Sequence, residues 1–174
     1  MMPPAVVRQF IAGEWVDGQG AAQVVLDKYT LEPFATLAEA GADQLAQAVD
    51  AAQAAFLRGA PAPHERGAIL ERAADAVAAA QEEFVGVMQR EAGFTRGDAL
   101  GEARRSVQTL KLCAEEARRL VGDVLPLEGV AGQAGRLAFT LRVPLGIVLA
   151  VTPFNAPLNT VIHKVGPAFA AGNA

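Results

Sequence analysis

The stretch VTPFNAPLNT, residues 151–160, sets an asparagine between two prolines directly after an apolar run, and its reading decides the fold. Just before it, LGIVLAV (145–151) is apolar on both faces, as a central strand of a parallel sheet covered by helices is. Just after it, Pro157 suits the first turn of a helix, and the segment through Ala171 is apolar enough to pack on that sheet. A kink is expected at Pro167 and a stop at Gly172. VTPFNAP is therefore predicted as a strand-to-helix loop in an α/β fold with a doubly wound sheet. In such sheets, loops at the carboxyl ends of strands are where ligands bind. The Asn155 amide has two readings there. It can donate a preorganised hydrogen bond to an oxygen that gains charge during a reaction, or it can close an Asx turn that caps the helix.

Upstream, the pattern is first strand-like and then helical. FIAGEWVDG (10–18) has short apolar pieces around Gly13 and a turn expected at Asp17-Gly18, and QVVL (23–26) and FATLA (34–38) read as small strands. Three long helices follow. The first starts at Asp43 as N-cap, with Leu45, Val49, Ala52 and Phe56 on one face and Gly59 and Pro61 ending it. The second runs from Pro63 to Gly93 with Ile69, Ala73, Ala76, Val77, Ala80, Phe84, Val87 and Met88 on its stripe. The third opens on a capping box, Thr95 with Asp98, and carries Ala103, Val107, Leu110, Ala114, Ala117 and Val121 before Gly122. Beyond Gly122 the period becomes two. RLAFTLRV (136–143) places Leu137, Phe139, Leu141 and Val143 on one face of a strand, and GVAGQAG (129–135) is the tip of a hairpin rather than a dinucleotide turn, since it does not join a strand to a helix.

Composition restricts the classes of function. The 174 residues are 52% hydrophobic and 20% charged, ordinary for a globular chain. A net charge of -4 and a pI near 5.2, without basic clusters, predict neither nucleic acid nor an anionic membrane as partner. The single cysteine, Cys113, has no partner for an internal disulfide, and the start MMPPAVVRQF lacks the pattern of a secretory signal, so a cytoplasmic location is expected. Prolines and asparagines interrupt the uncharged run 143–162, which argues against a spanning helix. No metal site is expected.

An ordered series of segments resembles the aldehyde dehydrogenase superfamily along essentially the whole chain. FIAGEWVDG is similar to that family's opening, VLDKYTLEPFATLAEAGADQLAQAVDAAQAAF (25–56) to its next strands and first helix, and HERGAILERAADAV (64–77) to the following helix. RVPLGIVLAVTPFNAPLNTVIHKVGPAFAAGNA (142–174) resembles its most diagnostic N-terminal block. The resemblance implies an N-terminal portion of an incomplete doubly wound, nucleotide-binding domain. Residues 1–122 would hold the N-terminal strands and helices, 123–144 a protruding hairpin arm for homo-oligomerisation, and 145–174 the first strand, loop and helix of the cofactor-binding sheet. It implies oxidation of an aldehyde to an acid through a cysteine thiohemiacetal, with NAD or NADP as cofactor. Asn155 would be the oxyanion-hole asparagine, and Val151, Thr152, Pro153 and Phe154 would lie along the cofactor.

The same resemblance implies that the chain ends before a cofactor-binding lysine, the glycine turn, the general-base glutamate and the nucleophilic cysteine, so that alone it is inactive. Cys113 is not expected to replace that nucleophile; it reads as a buried, inert thiol in the third helix. Ala156, Asn159, Thr160 and His163 would line the aldehyde path with polar walls, and PFNAPLNTVIHK is similar to the branch acting on lactaldehyde, phosphonoacetaldehyde or, without phosphorylation, glyceraldehyde 3-phosphate. Arg105 matches a branch position that can hold an acidic or phosphorylated tail, so the substrate is expected to be a small aldehyde, hydroxylated or anionic. The alternatives are a half-buried helix histidine at 163, a solvated arginine at 105 and a Glu102–Arg105 helical pair. Leu31 stands where many members have glycine, in TLEP, so a strained or differently shaped turn is expected. A non-catalytic oligomerisation or regulatory fragment is the alternative function, and a stand-alone nucleotide-binding module a weaker third.

Overall fold

The computed structural model describes residues 5–174. Its first part is a small sheet in which β1 (Ala5–Val7) lies parallel to β5 (Pro33–Ala38), and β5 pairs antiparallel with β4 (Ala22–Leu26). A separate hairpin joins β2 (Gln9–Ile11) to β3 (Glu14–Val16). Its turn is Ala12-Gly13, both with positive φ, the geometry whose twist matches two adjoining strands. The turn expected at Asp17-Gly18 is not there. Gly18 instead passes so close to β5 that a Cβ on it would lie 2.1 Å from the Ala38 carbonyl oxygen, so glycine is required for approach rather than for turning.

The helices number five among the described residues: α1 (Ala42–Leu57), α2 (Pro63–Ala79), α3 (Gln81–Ala92), α4 (Arg96–Arg119) and α5 (Asn159–Ala170). The single helix expected from Pro63 to Gly93 is broken at Ala80, which is at once the C-cap of α2 and the N-cap of α3. The break lets the two halves serve different cores. Leu70 and Ala74 of α2 join Leu110, Cys113, Ala114 and Ala117 of α4 and Ile162 and Ala170 of α5, whereas Val85 and Met88 of α3 pack on Ala99 and Ala103 of α4. The expected stripe is shifted accordingly, with Val87 exposed.

Helix ends follow local chemistry. Thr95 caps α4 by accepting from the Asp98 amide at 3.2 Å, as predicted, but the expected capping box is only half formed, since the Asp98 carboxylate accepts from the Thr95 hydroxyl at 2.6 Å rather than from its backbone amide. Pro63 is the first residue of α2, with Glu65 accepting from the Ala62 amide at 2.8 Å. The N-cap of α1 is Gly41, not Asp43. The buried Gln44 side chain accepts from the amides of Gly41 and Gln19 and donates to the Asp17 carbonyl, tying α1 to the hairpin. The face of α1 expected to be buried is only partly covered: Ala52 and Phe56 are half-buried, whereas Leu45 is 58% exposed and Val49 is open beside it.

The arm is shorter in pairing than the alternating pattern predicts. Val124–Leu125 (β6) pairs antiparallel with Ala138–Phe139 (β7), and a 3-10 turn at Leu127–Gly129 and two further turns form the tip. Leu137, Leu141 and Val143 are all exposed, so one face of the arm has no neighbour to extend the ladder. At its base, Gly122 lies so near Thr140 that a Cβ would sit 1.6 Å from the Thr140 oxygen.

Candidate active site

The segment 145–151 is not the covered central strand its composition predicts: it bends at Gly146, with φ 131°, and leaves Leu145, Leu149 and Val151 exposed, because among the described residues it has one pairing, and that pairing is informative. The Ala174 amide donates to the Gly146 carbonyl at 3.0 Å, and the Val148 amide donates to the Ala174 carbonyl at 2.8 Å. These two bonds bracket Ile147 as a parallel pair with Ala174, and α5 is the crossover between the two segments. Asn173 reinforces the junction: its Oδ1 accepts from the amides of Leu145 and Gly146 at 2.6 and 3.1 Å, and its Nδ2 donates to the Ala168 carbonyl at 3.0 Å. Among the described residues no further strand joins 145–151, so the doubly wound sheet is represented by this one strand–helix–strand contact. Gly172, with φ 85°, ends α5 where expected, and Pro167 lies within its last turn.

The loop that follows, 152–158, carries the candidates from Thr152 to Ala156. Val151, Thr152, Pro153, Phe154 and Asn155 form one exposed run at the carboxyl end of the 145–151 segment. Asn155 lines a cleft of about 450 Å³ together with Gly93, Phe94, Asp98, Glu102 and Arg105. Helix α5 begins two residues later than Pro157, at Asn159, although its first bond, from the Thr160 amide to the Ala156 carbonyl at 3.0 Å, reaches back across the proline.

What fixes this helix start is a residue of α4. Glu102 is 1% exposed, and its Oε1 accepts from the amides of Leu158 at 2.8 Å and Asn159 at 3.1 Å. Two of the amides left without partners at a helix N-terminus are thereby satisfied, and the helix dipole favours the negative charge. The Glu102–Arg105 pair considered from sequence is not formed: Glu102 turns to α5, while the exposed Arg105 lies along its own helix over Gly101, where a Cβ would be 3.4 Å from its Nη1. One turn further on, the Thr109 hydroxyl lies 3.1 Å from Asn159 Oδ1 and 3.0 Å from the Arg105 carbonyl, and its one proton serves either.

Of the residues expected to bind substrate, Arg105 alone shares the cleft with Asn155, the expected catalytic residue. Ala156, Asn159 and Thr160 are half-buried beside it at the start of α5, and His163 is exposed one turn along; none of these four lines that cleft. Sequence reading missed Glu102 and Thr109. The signal for Glu102 was present: three residues after Ala99 and four before Ser106, it falls on the buried face of α4, where a carboxylate needs a partner.

Cys113 is buried in the larger core, and burial, helped by the charge of Glu116, pushes its thiol above the ordinary value. It does not line the cleft, and its burial agrees with the expected inert thiol in the third helix. Among the described residues no helix is long and apolar enough to cross a membrane, and no cluster of three metal-ligating side chains occurs.

Comparison with known proteins adds a frame to this geometry. A model described as the aldehyde dehydrogenase family matches residues 15–174. The chain is 42% identical over 165 residues to a 3-sulfolactaldehyde dehydrogenase of Priestia aryabhattai, covering 95% of this chain and 34% of that protein. It is 32% identical over 166 residues to a lactaldehyde dehydrogenase of Methanocaldococcus jannaschii, with 94% and 34% covered. Among solved structures, aldehyde dehydrogenase 21 from Physcomitrella patens, in complex with the reaction product succinate, superposes with a TM-score of 0.92 at 35% identity, over 99% of this chain and 36% of that one. The chain thus spans about a third of the length of the curated relatives it matches.

Proposed function

Since this chain belongs to the aldehyde dehydrogenase family, we propose that it contributes the oxyanion-stabilising and cofactor-facing part of an NAD- or NADP-dependent enzyme that oxidises a small aldehyde to a carboxylic acid. The observation that carries this reading is the shared cleft of Asn155 and Arg105. A carboxamide held at the exit of an apolar segment donates to an aldehyde oxygen as that oxygen becomes an anion, and removal of such a donor typically costs about 3 kcal/mol of barrier. The guanidinium of Arg105, on the same cleft wall, can grip an anionic tail with two parallel hydrogen bonds. Relatives named for 3-sulfolactaldehyde and sulfoacetaldehyde favour an anionic aldehyde, and those named for lactaldehyde favour a hydroxylated one. Ala156, Asn159, Thr160 and His163 would complete a polar wall around such a substrate.

The residues for the nicotinamide cofactor are Val151, Thr152, Pro153 and Phe154. Their fit rests on an exposed ledge, apolar except for Thr152, at the end of a strand–helix–strand contact, the crevice where α/β sheets take nucleotides. When bound there, the cofactor supplies the hydride acceptor. The attacking thiol is another matter. Cys113 is the sole cysteine of the 174 residues and is held in the core, so covalent attack needs a thiol from outside them. The isolated chain should accordingly not reduce NAD or NADP with any aldehyde.

The test is Asn155→Ala in the catalytically competent enzyme that contains these residues. A fall in kcat of about a hundredfold or more is expected; an unchanged kcat would overturn the reading. A second, non-catalytic reading has its own support in the arm 123–144, whose exposed Leu137, Phe139, Leu141 and Val143 suit sheet extension against another copy. Mixed oligomers on combining the chain with a full-length relative would favour it.

A further inference from the structure

We infer that Glu102 is a positioning residue that places the Asn155 amide by holding the start of α5, an inference resting on the oxyanion role proposed for Asn155. Glu102 is among the largest fully buried side chains of the protein. A carboxylate in that setting is unfavourable unless it is hydrogen-bonded or paired. Among the described residues it makes no salt bridge; its oxygen instead accepts from the amides of Leu158 and Asn159. Those two groups open a helix that has no acidic residue in its first turn and no side chain of its own acting as cap. The buried charge and the uncapped helix end are therefore each other's solution, and neither is satisfied without the other.

The consequence reaches Asn155 through three residues. Pro157 fixes one φ between Asn155 and Leu158, so the loop has little freedom once Leu158 is held. Leu158 is held twice, by its amide on Glu102 and by its side chain, which packs against both core clusters. The Ala156 carbonyl is held by the Thr160 amide. Asn155 is exposed, so its reach into the cleft is set by this anchor rather than by packing of its own side chain. A donor displaced by a fraction of an ångström no longer meets an oxyanion, although it still tolerates a neutral carbonyl, so loss of the anchor falls on kcat rather than KM.

The experiment compares Glu102→Gln and Glu102→Ala, each alone and with Asn155→Ala, in the catalytically competent enzyme. Gln keeps an acceptor oxygen but loses the charge that roughly doubles the strength of the two bonds, so about a fivefold fall in kcat is expected, with KM within about twofold. Ala removes the acceptor and should lower kcat by a further tenfold or so where the protein stays folded. Glu102→Gln, which preserves shape, decides the matter if Glu102→Ala does not fold. In the Asn155→Ala background the effect of Glu102→Gln on kcat should shrink to less than about twofold, because the group it positions is gone. The same loss in both backgrounds, or a rise in KM without a change in kcat, overturns the positioning role while leaving the oxyanion reading intact. Full turnover by Asn155→Ala alone overturns both.

Discussion

Arg90 of α3 closes over Asp27 in the turn between β4 and β5: its Nε donates to Asp27 Oδ2 at 2.7 Å, and its guanidinium carbon stands 4.1 Å from the centre of the Phe34 ring. Asp27 Oδ1 accepts in addition from the amides of Tyr29 and Thr30. One carboxylate thus ties the small sheet to the helical part.

That arrangement predicts an acid-labile contact. The bond from Arg90, with those from the two amides, holds the Asp27 carboxyl below its ordinary value of 3.8. A depressed folded pKa contributes stability that is present above the unfolded value and is lost as pH falls through the folded one. The urea midpoint should therefore decline below about pH 4, and less steeply in Asp27→Asn. Glu71 and Glu82, lowered by Arg118 and Arg96, leave part of the slope in the variant. Parallel pH profiles would contradict the assignment.

Leu31 adopts φ 62° in the same turn, and its side chain is 70% exposed. A left-handed backbone costs a residue with a Cβ about 1–2 kcal/mol, against roughly 0.5–1 kcal/mol of extra chain entropy lost by glycine. Leu31→Gly should raise stability by about 0.5–1 kcal/mol in chemical denaturation. A lower midpoint would mean that the turn is not strained.

The close contact of α4 with α5 rests on Gly166, where an added Cβ would meet the Cys113 sulfur at 2.9 Å. Gly166→Ala should cost about 1–2 kcal/mol, the overpacking penalty less the helix gain of alanine. Combined with Cys113→Ala, the cycle should return a favourable coupling near 1 kcal/mol. Additive losses would remove the contact from the account. The same burial keeps the thiol unreactive, so a thiol reagent should label Cys113 only on unfolding.

Arg105→Ala tests the anion site. Removing a charged hydrogen-bond donor should raise KM for a sulfonated or carboxylated aldehyde about 10- to 100-fold, and that for a neutral aldehyde of similar size by no more than about threefold. Steady-state kinetics on the two substrates decide it, and equal effects would discard a tail-binding arginine.

Much of this architecture is legible in the sequence where local chemistry decides it. Thr95 with Asp98, Pro63, Gly93 and Gly172 mark helix ends that the structure keeps. The proline–asparagine loop marks the exit of the apolar segment. Legibility fails where a tertiary partner decides. Ala80 carries no breaker signature, and only the division of the interior into two clusters explains why a periodic run bends there. Leu45 and Val49 show the helical period of a buried face, yet both are exposed while Ala52 and Phe56 of that face are half-buried, because periodicity reports which side is apolar and not how much of it is covered. Glu102 shows by its spacing that it is buried but not what it meets, and Arg105 at i+3 offers it a helical pair that does not form. Its true partners lie more than fifty residues away, a distance no local window spans.

Helix α4 gives its first half to one cluster and its second half to the other, with Leu158 wedged against both. Neither interior can therefore melt and leave the other intact. Amide protons in the middle of α4 should exchange with deuterium only through whole-molecule unfolding, while those of the arm should exchange through brief local openings at a far lower free energy. The helix acts as a common keel, so damage at one end is felt as lost cooperativity at the other.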